Sequence, residues 1–385
     1  MIRTTALMLA LGLPLTAAAL PAEAAARTAD VKFAIPRPTG AYKVGRDVLH
    51  MVDTGRRDPW APSATPRELM VSMYYPARSG GRPTAYMTTA EAAALLKAQK
   101  LDTRVKPEQV AGVRTNAREG ARPVSGRYPL VVLSPGFTLN RATLTMLAEE
   151  LASRGNVVAL VDHAYESYGT RFPGGRTLTC AACEALEKAP SDEESKRLLA
   201  KVATGRAADL SFVIDRVTRV TGWRRAAMID QKRIGAAGHS IGGNAAAALM
   251  AADRRVRAGV NMDGTFFAPV PAKGLGGRPF LMLGTKSGHS PGSADTSWPR
   301  DWRRLDGWKR WLTVKDSGHF TFIDLPVLGG QAGMTDPAAP LSGKRSGEIT
   351  TSYVGAFFDR HLQGRKRPIL DGPTRANPEV TFHNP

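Results

Sequence analysis

Apolar residues in this chain come in short, nearly continuous runs separated by longer stretches with helical spacing. "YPLVVLS" ends at Ser134, "NVVALVD" at Asp162, "RIGAAGHS" at Ser240, "RAGVNMD" at Asp263, "RPFLMLGT" at Thr285 and "KRWLTVKD" at Asp316. Runs of this length, rich in branched residues and bounded by Gly, Pro and charge, predict strands buried on both faces. Residues 144–154, 207–220, 243–252 and 347–362 carry the 3.6-residue pattern and predict helices. Strand and helix in alternation predict an α/β domain with a mostly parallel central sheet and helices on both faces. In such sheets the reactive side chains gather beyond the carboxyl ends of the strands. Each run above ends in a Ser, Thr or Asp.

The ends of the chain read differently. Residues 1–25 hold Arg3, a run of small and apolar residues, and Ala22-Glu23-Ala24 in the A-x-A form. This predicts a secretory signal peptide cleaved near Ala24, and hence a secreted protein. The apolar run is short for a membrane span. Residues 26 to about 70 are rich in Pro, Arg and Asp and predict an irregular arm with one or two edge strands. The domain is expected to run over 26–364, with 365–385 as a polar tail on the surface. A stretch at about 166–200 reads as an insertion over the site.

That insertion holds both cysteines, Cys180 and Cys183. In an exported chain the pair predicts a local disulfide. A redox role needs a helix start beside a βαβ unit, and zinc needs further ligands, and neither context is present. The formal net charge of +19 fits an arginine-rich chain. It also allows peripheral contact with anionic lipid or cell wall. No basic run is interleaved with aromatics as a nucleic-acid groove requires. The tryptophans at 298, 302, 308 and 311 suit ordinary packing.

Two stretches match Gly-x-Ser-x-Gly: "GHSIG" around Ser240 and "GHSPG" around Ser290. Ser240 follows a strand and precedes a helix, which is the context of a nucleophile elbow. Ser290 is followed by Pro291, which has no N–H for an oxyanion. Ile241 has one, so Ser240 is the expected nucleophile, and "GHSPG" is assigned to a loop. A serine hydroxyl needs a positioned base. His319, in a loop past the last predicted strand, is the leading choice, with His289 as its rival. His361 and His383 are expected to face solvent. The acid is read as Asp263 at a strand tip, with Asp295 or Asp301 as alternatives, while Asp162 precedes the serine and reads as structural. The second oxyanion donor is expected from "LSPGF", where Gly136 permits a tight turn and the Phe137 N–H faces the pocket.

With these residues in place, the sequence resembles the α/β-hydrolase superfamily. More narrowly, it is similar to the platelet-activating factor acetylhydrolase and bacterial lipase-like branch. "RELMVSMYYPA", "YPLVVLSPGF", "VVALVDHAYES", "GHSIGG", "NMDGTFF" and "DSGHFTFIDL" carry the resemblance, in order, over most of residues 68–325. It implies a nucleophile at Ser240, an acid at Asp263 and a base at His319. The "SPGF" loop and the cysteine-bearing insertion depart from the family pattern. The reading is therefore a serine hydrolase cleaving small-molecule or lipid carboxylic esters, with no cofactor or metal. A cutinase-like polyester hydrolase or an amidase or peptidase would share the triad. A basic lipid- or wall-binding protein is the non-enzymatic alternative.

Overall fold

The computed structural model describes residues 31–61, 63 and 66–383. The leader expected over 1–25 lies outside them. All six apolar runs are strands: β3 (Tyr128–Ser134), β4 (Val157–His163), β5 (Ile229–His239), β6 (Val256–Met262), β7 (Phe280–Thr285) and β8 (Lys309–Val314). They are mutually parallel in the order β4-β3-β5-β6-β7-β8. Alternate residues of β3 face opposite sides. Leu130 and Val132 enter one core and Val131 and Leu133 the other, and all four are fully buried. Apolar residues on both faces are what turned the period-two signal into continuous runs.

Helices cover both faces. On one side lie α1 (Thr89–Ala98), α2 (Thr145–Ser153), α7 (Asp324–Gln331) and α8 (Gly343–Gln363); on the other lie α4 (Asp192–Val217), α5 (Ile241–Ala252) and α6 (Ser297–Arg304). Between β4 and α4, a small hairpin of Thr170–Arg171 with Thr177–Leu178 and a short helix α3 (Ala181–Glu187) make up the insertion. Helix α4 starts 15 residues earlier than the periodicity indicated. Its first turns are dominated by charge, which hides the buried positions Leu199, Val202 and Ala203.

Two expectations at the chain ends are corrected. The stretch read as an irregular arm with one or two edge strands does hold two strands, but they are long and antiparallel, β1 (Lys43–Arg57) and β2 (Pro66–Ala77), and β2 is no edge: it lies inside the sheet between β4 and β1. Leu69, Val71, Met73 and Tyr75 alternate into one core, and this burial outweighs the Pro- and Arg-rich composition around them. The polar tail ends in β9 (Val380–His383), which pairs antiparallel with β8. Val380 is buried and Phe382 packs on Tyr353. His383 bonds Thr313 Oγ1 at 2.8 Å, and His361 lies against Trp308 and Phe357, so neither histidine is freely solvated. Trp298, Trp302 and Trp311 are core residues.

Strand β3 has β4 on one side and β5 on the other, so the order reverses between β3 and β5. That is the switch point where open α/β sheets present their sites. Just behind it lies a buried charge network. Arg67 Nη1 donates to Asp58 at 2.8 Å, Nη2 to Glu166 at 2.9 Å and Asp209 at 2.7 Å, and Nε to Asp209 at 3.1 Å. Arg206 Nε donates to the other Glu166 oxygen at 2.6 Å. Burial pushes the Asp209 carboxyl up, but the charge of Arg67 and the contact with His163 outweigh it and hold it well below the usual range. Removing one member of such a network strands its partners without solvent. We expect Arg67→Met to lose about 3–5 kcal/mol of stability, read from urea unfolding.

Candidate active site

The strand tips bring together residues far apart in sequence. Ser240 joins β5 to α5 with φ 55° and ψ −127°, and Asp263 leaves β6 with φ 56°. Non-glycine residues with such positive φ cost roughly 1–3 kcal/mol each and persist only where their surroundings fix them. Here the Ser240 N–H donates to Met262 O at 2.8 Å and the Asp263 N–H to Leu283 O at 2.9 Å, stitching each turn to the next strand. The turn leaves no room beside it. A Cβ on Gly242 would lie 2.1 Å from Ser134 O, so only glycine lets α5 start this close to β3.

His319 lies in a single helical turn after β8. Its Nε2 is 3.0 Å from Ser240 Oγ and its Nδ1 is 2.6 Å from Asp263 Oδ2. The structure thus brings the three expected residues into one hydrogen-bonded chain. Asp263 Oδ1 also accepts the Thr285 N–H at 2.7 Å and faces His289 Nδ1 at 2.7 Å. Burial raises the Asp263 carboxyl, yet the charge and hydrogen bonds of the two histidines prevail and hold it well below the usual range. Backbone contacts set the His319 loop. Ser317 Oγ donates to Val314 O at 2.6 Å, and His239 Nε2 is 2.7 Å from the His319 carbonyl. Burial, reinforced by the neighbouring His319, pulls His239 down to about 3. His239 is therefore neutral at ordinary pH and donates from Nε2 to that carbonyl.

The remaining candidates fall elsewhere. His289 has both ring nitrogens on carboxylates rather than on the serine. Asp295 bonds His289, and Asp301 pairs with Arg300. Asp162 pairs with Arg141. Ser290 Oγ donates to Lys286 O, so "GHSPG" is a short turn and loop.

The N–H groups of Phe137 and Ile241 donate to no protein acceptor among the described residues. Ile241 is the first residue of α5, where N–H groups lack intrahelical partners and the helix dipole favours negative charge. Phe137 follows Gly136, whose Cβ would sit 2.8 Å from His239 Nδ1. The loop before Phe137 is held from below. Arg206 Nη1 donates to Pro135 O at 2.6 Å and Ser134 Oγ at 3.3 Å. His163 Nε2 is 3.0 Å from Ser134 Oγ, with its Nδ1 2.7 Å from Asp209. This second Ser-His-Asp chain is fully buried and clamps the loop. Sequence reading missed it, because Arg206 and Asp209 lie on a helix whose pattern carries no catalytic motif.

Cys180 and Cys183 are joined by a disulfide. The disulfide and Ala182 pack against Phe137 and Trp60. A largely apolar cavity of about 380 Å³ lies beside His319 and Phe320, walled by Leu95, Leu96, Val105, Val113 and Leu325. Such a space suits an apolar part of a small molecule.

Known proteins agree with this architecture. Residues 27–173 match the family described as platelet-activating factor acetylhydrolase, isoform II. A probable 1-alkyl-2-acetylglycerophosphocholine esterase of Arthroderma benhamiae is 29% identical, covering 94% of this chain and 97% of that protein. A platelet-activating factor acetylhydrolase of Cavia porcellus is 23% identical, covering 85% of this chain and 78% of its own. Among solved structures, a ferulic acid esterase from Streptomyces cinnamoneus is 43% identical, with a TM-score of 0.80, covering 92% of this chain and all of that one. This chain belongs to the α/β-hydrolase superfamily, in its platelet-activating factor acetylhydrolase-like branch, and is a carboxylic ester hydrolase.

Proposed function

We propose that the protein is an exported serine esterase in which Ser240, His319 and Asp263 act as one unit. The observation that carries this reading is the unbroken hydrogen-bond chain from Ser240 Oγ through both His319 nitrogens to Asp263 Oδ2. Ser240 Oγ attacks the ester carbonyl carbon while its proton passes to His319 Nε2. The negative oxygen that forms is held by the Phe137 and Ile241 N–H groups. The alcohol leaves with the proton from His319. Water then gives a proton to His319 and attacks the acyl-serine, releasing the acid and restoring Ser240. Asp263 keeps the imidazole in the tautomer that accepts at Nε2 and stabilises its charged form.

The acyl group in this reading is small or aromatic. Its support is the apolar cavity beside His319, together with the likeness to the Streptomyces ferulic acid esterase. Export is supported by the leader pattern in residues 1–25 and by the disulfide between Cys180 and Cys183, a bond that persists in oxidising compartments.

The test is a panel of p-nitrophenyl esters from acetate to palmitate, methyl ferulate and an acetyl glycerophosphocholine. The mature chain is expected to hydrolyse the short esters and methyl ferulate and to be labelled by a fluorophosphonate. Ser240→Ala and His319→Ala each lower kcat by about 10⁴-fold or more, and Asp263→Asn by about 10⁴-fold. Labelling disappears in Ser240→Ala. A chain that neither labels nor turns over any ester overturns the reading. Gly136→Ala tests the loop after β3 and its contact with His239 together. Its added methyl meets His239, which also holds the His319 carbonyl, so kcat is expected to fall about 10- to 100-fold, with a lower melting temperature.

A further inference from the structure

His289 follows β7 in the one-turn helix Lys286–His289 and is buried. Its Nδ1 lies 2.7 Å from Asp263 Oδ1 and its Nε2 lies 3.1 Å from Asp295 Oδ2. Neither carboxylate has a proton to offer. Asp263 Oδ1 already accepts the Thr285 N–H, and Asp295 accepts from Thr265 Oγ1 at 2.6 Å and from the Ser297 N–H at 2.7 Å. An ionised carboxylate only accepts, so both ring nitrogens must donate, and the ring that satisfies both contacts is an imidazolium. It stacks on Trp298 at 4.3 Å between ring centres, a face that favours a cation. The Trp311 indole N–H holds the His289 carbonyl at 2.7 Å.

We propose that His289 is a positioning residue for ester hydrolysis, an imidazolium bridge between Asp263 and Asp295 that fixes Asp263 so that Oδ2 faces His319. The inference rests on the Ser240–His319–Asp263 reading. A carboxylate with one oxygen tied to a rigid cation cannot rotate away from its histidine. Asp295 supplies the opposite charge, so His289 orients Asp263 without adding net charge beside the site. The charged and titratable groups around His289 are Asp263 and Asp295 on its two nitrogens, His319 across Asp263, and Lys286 on its own turn. Trp298 and Trp311 face it from α6 and β8 without titrating. Burial lowers the His289 value, but Asp263 and then Asp295 raise it further, to about 9. Its charge is therefore present at neutral pH and lost as the pH rises through about 9. A neutral ring then leaves one carboxylate facing a lone pair.

Histidine nitrogen-15 NMR of the mature chain reads the protonation directly. Near neutral pH, one ring protonated at both nitrogens is expected, and its signals vanish in His289→Gln. In the pH profile of kcat on p-nitrophenyl acetate, the unaltered chain shows an alkaline limb near pH 9, the value at which His289 loses its charge. His289→Gln lowers kcat about 10- to 100-fold, leaves KM unchanged and abolishes that limb. Asp295→Asn removes one anionic partner and moves the limb to lower pH. A singly protonated His289 near neutral pH overturns the proposal, as does a folded His289→Gln chain with unaltered kcat and limb. Ser240→Ala runs in parallel. Turnover surviving there overturns the triad reading, whereas its loss beside an unaffected His289→Gln overturns this inference alone.

Discussion

A carboxylate buried at the tip of a parallel strand must be satisfied by donors on every side, and Asp263 is where this requirement organises the molecule. Its two oxygens meet the Thr285 N–H and His289, from the end of β7 and the turn that follows it, and His319, from the loop after β8. The sheet register makes that convergence possible. Met262 of β6 pairs with His239 of β5 and with Leu283 of β7, so the residues just past these positions emerge side by side. A slip of one residue between neighbouring strands would turn each side chain to the opposite face. The positive φ values at Ser240 and Asp263 are local strain held in place by the hydrogen bonds across those strand tips.

On the other side of the switch point, charge fixes the loop after β3 that carries the proposed donor Phe137. Arg67, Arg206, Asp58, Glu166, Asp209 and His163 are all nearly inaccessible. A buried ion network is weak evidence for stability, since apolar groups of the same shape often serve as well. What the charges add here is direction. Arg206 and His163 bond Ser134 and the Pro135 carbonyl from inside the protein, and the next residue, Gly136, lies against His239. The two polar shells thus fix different parts of the proposed site: one Asp263 and His319, the other the loop that carries the Phe137 N–H.

The strand runs were legible because each is apolar on both faces, and the elbow was legible because the chain from Gly238 to Gly243 combines close packing with a strand-to-helix change. Asp263 followed from its place at a strand end. The long strands β1 and β2 were obscured by the Pro, Arg and Asp around them, and β9 by a polar tail only four residues of which enter the sheet. His289 was weighed as a rival base because its position after a strand resembles that of His319. Sequence alone could not separate the two, since the difference lies in which atom each ring faces: a serine hydroxyl for one, carboxylates alone for the other. The Arg206 clamp left no trace in periodicity, because a buried arginine on a helix looks like an ordinary charged position until its partners are in space.

The spacing of the two proposed oxyanion donors is set away from the donors themselves. Phe137 and Ile241 stand at the ends of neighbouring strands β3 and β5, so the sheet fixes their approach in one direction only. Both side chains enter the same apolar cluster, with Leu186 from α3 and Leu199, Val202 and Ala203 from α4. The disulfide-closed turn packs on Phe137 as well. Small apolar clusters of this kind derive their rigidity from close packing, which responds to changes as small as one methylene. The segment between β4 and α4 therefore packs directly behind the two proposed donors. It holds the Phe137 and Ile241 side chains in one apolar cluster.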